Sequence, residues 1–125
     1  MKVSVFGNPD VKIDSLVVGL VSELKLRLPE VEFIVEDPSE GLKPPKDGVW
    51  VILDVATGID EIKVFEDLSK LSATRKSSLH DYDVAMELLL LKKIGRLVKV
   101  KIVAVPIEME REKAFKEIIN ILESS

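Results

Sequence analysis

The chain has 125 residues, 46% of them hydrophobic and 32% charged. That length and mix fit one compact domain spanning 1–125 with a core of its own, and exclude a disordered chain. The net charge of −4 argues against a nucleic-acid partner, and the absence of cysteine excludes disulfides, thiolate metal ligands and a cysteine nucleophile. No apolar run approaches the roughly 18 residues of a membrane span, so no membrane insertion is expected. No charged and then apolar opening marks a signal peptide, so a cytoplasmic location is expected.

Met1 to Phe6 alternates and is rich in β-branched residues, which predicts a strand closed by Gly7-Asn8-Pro9. From Asp14 to Leu28, apolar residues at Leu16, Val17, Leu20, Val21, Leu24 and Leu28 keep a spacing of three and four. This is the mark of an amphipathic helix, with Asp14 or Ser15 as its cap and Pro29 as its stop. Val31 to Glu36 reads as a second strand, and Asp37 to Gly48, with three prolines and two glycines, as a loop. Val49 to Val55 is almost wholly apolar, as expected of a strand buried on both faces in the middle of a parallel sheet.

Ile62 to Leu68 reads as a short edge strand, and Ser69 to Ser78 as a polar loop. Asp81 to Ile94 has helical spacing and stops at Gly95; Val98 to Val105 is a strand closed by Pro106; Met109 to Leu122 is a last helix with Ala114, Phe115, Ile118, Ile119 and Leu122 on one face. Met86 and Met109 fall at core spacing. Strands alternating with helices predict an α/β fold in three layers: a mostly parallel twisted sheet of about five strands, flanked by helices on both faces.

In such sheets ligands bind beyond the carboxyl ends of the strands. Asp10 and Asp14 follow strand one, Asp37 follows strand two, and Asp54 ends strand three. His80, the only histidine, precedes the second helix and joins the same rim if that helix lies in a right-handed crossover. Carboxylates with an imidazole suit zinc, nickel, cobalt or iron better than magnesium. Asp54 is the residue hardest to explain structurally, because an aspartate within V-I-L-D-V-A is costly to bury without a partner. Asp14 serves equally well as a helix cap, and a lone His80 as an ordinary surface residue. The glycine-rich nucleotide loops, the G-x-S-x-G elbow and H-E-x-x-H are all missing.

The residues F-G-N-P at 6–9, Asp14, L-D-V-A-T-G at 53–58, S-L-H-D at 78–81 and the strand V-K-V-K-I-V-A-V-P-I-E at 98–108 resemble, in this order, the nickel–iron hydrogenase maturation endopeptidases. The resemblance implies an enzyme that clips a C-terminal extension from the precursor of the hydrogenase large subunit after nickel insertion. It implies that Asp14, Asp54 and His80 sense the nickel carried by that precursor, with no permanently bound cofactor. Gly7, Asn8 and Asp37 match supporting loop positions. The chain departs from the family in having one acid, Asp14, where two are usual, and Pro38-Ser39-Glu40 after Asp37 instead of Gly-Gly-Thr.

Two other functions fit the same residues. A non-catalytic protein could bind the hydrogenase precursor during assembly without cutting it. A receiver-like signalling domain would use Asp54 as phosphoacceptor, but the paired acids after strand one and the lysine after strand five that such domains carry are missing.

Overall fold

The computed structural model describes residues 2–6, 15–36, 45, 48–56, 59–66, 93 and 99–124. In chain order they form β1 (Lys2–Phe6), α1 (Ser15–Arg27), β2 (Glu32–Glu36), β3 (Trp50–Ala56), β4 (Lys63–Phe65), β5 (Val100–Pro106) and α2 (Arg111–Glu123). The expected helix over 81–94 lies outside the described residues except for Lys93, and the loop over 69–78 lies outside them entirely.

The strands form one five-stranded sheet in the order β2-β1-β3-β5-β4. β1 runs parallel to β2 and β3, β3 runs parallel to β5, and β4 pairs antiparallel with β5. The apolar run of β3 is explained by its place: it has a parallel neighbour on each side and needs apolar groups on both faces. β4 takes the edge, as its short mixed sequence predicts.

Alternation divides the side chains of each strand between two faces. Val3, Val5, Val51, Leu53, Val55, Val103 and Val105 join Val17, Leu20, Val21 and Leu24 of α1 and Ala114, Ile118, Ile119 and Leu122 of α2 in one buried core. Both described helices therefore cover this face. Phe115 packs at its margin, as its helical spacing predicts, and Met109 packs there from the turn before α2, since the helix expected from Met109 starts only at Arg111. Between the helices, the Arg111 guanidinium donates to the Gly19 carbonyl at 2.9 Å and to Glu23 Oε1 at 3.0 Å.

Local chemistry sets the helix ends. Leu28 N–H still bonds the Leu24 carbonyl at 2.9 Å, and Val31 N–H then bonds the Leu28 carbonyl at 3.1 Å, a turn built over Pro29. Pro29 has no N–H with which to continue α1. After β5 the chain turns at Pro106, whose carbonyl accepts from Met109 N–H at 3.1 Å, and α2 begins. No described helix is long and apolar enough to cross a membrane.

Candidate functional site

The opposite face of the sheet carries Ser4 and Phe6 of β1, Trp50, Ile52 and Asp54 of β3, and Val100, Ile102 and Ala104 of β5. At its amino end Trp50 Nε1 donates to Ser4 Oγ at 2.9 Å, both groups being buried. The Phe6 ring meets Trp50 edge-on, with centroids 6.2 Å apart and planes at 73°. The only other buried polar residue among those described is Asp54, 7% exposed. It stands two residues before the carboxyl end of β3. Its Oδ1 accepts a hydrogen bond from Val55 N–H at 2.8 Å, so the adjoining backbone helps to hold the carboxylate in place.

The register sets a row across this carboxyl end. Glu36 of β2 pairs with Phe6 of β1. Phe6 lies one step beyond the Val5–Leu53 pair and so neighbours Asp54. Asp54 pairs with Ala104 of β5, and Ala104 with Lys63 of β4. Two acids thus share one face with a phenyl ring between them, and a lysine lies beyond a small alanine. Lys63 also reaches Glu61, with Nζ 3.3 Å from its Oε1.

Chain direction makes this edge distinctive. From β1 the chain crosses to β2 on one side, while β3 and β5 lie on the other. The strand order therefore reverses at β1 and β3, and α/β sheets seat their ligands in the crevice outside the carboxyl ends at such a point. Of the residues singled out from sequence, Asp54 lies at that edge. Asp10, Asp14, Asp37, His80 and the loop residues Gly7 and Asn8 lie outside the described residues. Among the described residues, no group of three or more His, Cys, Asp and Glu side chains is placed to hold a metal ion. Sequence reasoning passed over Glu36, which read only as the end of a strand. The alternation of E-F-I-V-E against the buried Phe33 was the signal that put it on the face of Asp54.

No protein-family model and no curated protein matches the chain. Solved structures do. The hydrogenase maturating endopeptidase HybD from E. coli is similar over 99% of this chain and 93% of its own, with a TM-score of 0.64 at 18% identity. The solution structure of an endopeptidase from Escherichia coli covers the same shares with a TM-score of 0.67, also at 18% identity. A hydrogenase 3 maturation protease aligns with 94% of this chain and 86% of its own, with a TM-score of 0.63 at 16% identity. The likeness is one of fold, and it extends over nearly the whole of each chain.

Proposed function

We propose that this protein is an endopeptidase that removes the C-terminal extension of a nickel–iron hydrogenase large-subunit precursor once nickel has been inserted. The observation that carries the reading is Asp54: a buried acid at the carboxyl edge of β3, within the L-D-V-A-T-G segment that resembles the family, in a fold shared with two hydrogenase maturation proteases and a further endopeptidase. On this reading the chain acts as one domain, in the cytoplasm, on a protein substrate.

Asp14, Asp54 and His80 would read the nickel that arrives within the precursor. What supports their joint role is the order of the matching segments along the sequence, with Asp14 after F-G-N-P, Asp54 in L-D-V-A-T-G and His80 in S-L-H-D.

The reaction is hydrolysis of one peptide bond. Water adds to the carbonyl carbon, the C–N bond breaks, and the leaving nitrogen takes a proton. Asp14, Asp54 and His80 would hold the nickel that the precursor carries, and that metal would polarise the scissile carbonyl.

The test is incubation of nickel-loaded precursor with wild type, Asp54→Asn and His80→Ala, with the tail followed by mass spectrometry. Wild type should release the tail, and each variant should be slower by at least about 100-fold. Cutting by His80→Ala at the native rate would overturn the assignment. Stable binding of the precursor with the tail left on would point instead to an assembly protein.

A further inference from the structure

Glu36 ends the β2 face shared with Asp54. Its Oε2 is buried and meets no hydrogen-bond partner among the described residues. Glu36 is partly exposed as a residue, but a carboxylate oxygen shut off from water without a donor is unfavourable. The register fixes its place. Glu36 pairs with Phe6 and Phe6 neighbours Asp54, so two strand spacings, about 10 Å, separate the backbones of the two acids. Both acids stand at carboxyl ends, one on each side of β1, at the reversal of strand order. The buried ring of Phe6 stands between them.

We infer that Glu36 anchors the peptide substrate. It accepts a hydrogen bond from a backbone N–H, or from a basic side chain, of the precursor segment that lies across the carboxyl ends of β2, β1 and β3. The inference rests on the protease reading above and adds a substrate contact to it. An ionised carboxylate only accepts, so its complement must carry a donor. An extended peptide advances about 3.3–3.6 Å per residue, so a segment held at Asp54 comes level with Glu36 about three residues away. Glu36 takes no part in bond breaking. It holds the substrate through the ground state and the transition state alike, which makes it a binding residue.

The experiment measures cleavage of nickel-loaded precursor by wild type, Glu36→Gln and Glu36→Leu, with thermal unfolding of each protein alone. Glu36→Leu should raise KM about tenfold with kcat little changed, the signature of lost uniform binding. Glu36→Gln, which keeps an acceptor oxygen, should fall between the two. Neither variant should unfold at a lower temperature than wild type, since no described residue donates a hydrogen bond to Oε2 in the free protein. An unchanged KM for Glu36→Leu overturns the inference, as does a drop in thermal stability that explains the whole loss. If Glu36→Leu fails to fold, an unchanged KM for Glu36→Gln overturns it. Titration of the precursor without turnover separates this proposal from the protease reading. If wild type binds the precursor without cutting it, equal affinities of wild type and Glu36→Gln still refute the anchoring role, and a weaker affinity of Glu36→Gln still supports it.

Discussion

Ser4→Ala is the cleanest probe of the face opposite α1 and α2. The substitution removes the hydroxyl that accepts the Trp50 indole N–H at 2.9 Å. Ser4 and Trp50 are 0% and 1% exposed, so water cannot take its place. An orphaned buried donor costs about 1–3 kcal/mol. Trp50→Phe removes the donor and part of a large ring, leaving both an unmatched hydroxyl and a void, for about 2–4 kcal/mol. In the double variant both polar groups are gone, so the combined loss should fall short of the sum by about 1–2 kcal/mol. For a chain of this length, 1 kcal/mol moves Tm by about 4 °C. The assay is urea unfolding of all four proteins followed by far-UV circular dichroism, because Trp50 is the only tryptophan and its fluorescence is lost in two of them. Ser4→Ala unfolding within about 0.3 kcal/mol of wild type, or strict additivity in the cycle, would refute the reasoning.

Three further substitutions test the helices. Gly19→Ala in α1 should stabilise by about 0.5–1 kcal/mol, because alanine favours the helix and the new Cβ would meet only the flexible end of Arg111, Nη1 at 3.4 Å. A lower Tm would show that Arg111 cannot yield. Ile118→Ala in α2, at a fully buried position, should cost about 2–5 kcal/mol, whereas Lys116→Ala breaks an exposed pair with Glu112 and should cost about 0.5 kcal/mol or less. Denaturant midpoints measure both, and equal losses would contradict the burial assigned to α2.

The sequence made the sheet legible because its two periods are unambiguous. Val49 to Val55 has too few polar groups to lie anywhere but between two parallel neighbours, and β3 lies between β1 and β5. The three-and-four spacing of α1 and α2 named the residues that the core buries. Ends were less legible, because hydrogen bonding rather than hydropathy sets them. Val49 stands outside β3 and is 46% exposed, while Pro106, expected to close β5, is its last residue. Asp54 could be picked out because a charge among aliphatic neighbours is costly. Glu36 could not, because a glutamate at a strand end is ordinary until the register shows what lies beside it.

The antiparallel margin of the sheet bears on self-association. A parallel strand such as β5, left bare, would offer unpaired amides to any passing chain. Here β4 occupies that border for only three residues, and Asp60, Glu61, Lys63 and Glu66 surround it with charge. A second copy would have to desolvate those groups for a contact too short to repay them. At this border the protein is therefore guarded against growth into fibrils or edge-to-edge stacks, even at the high local concentrations of synthesis.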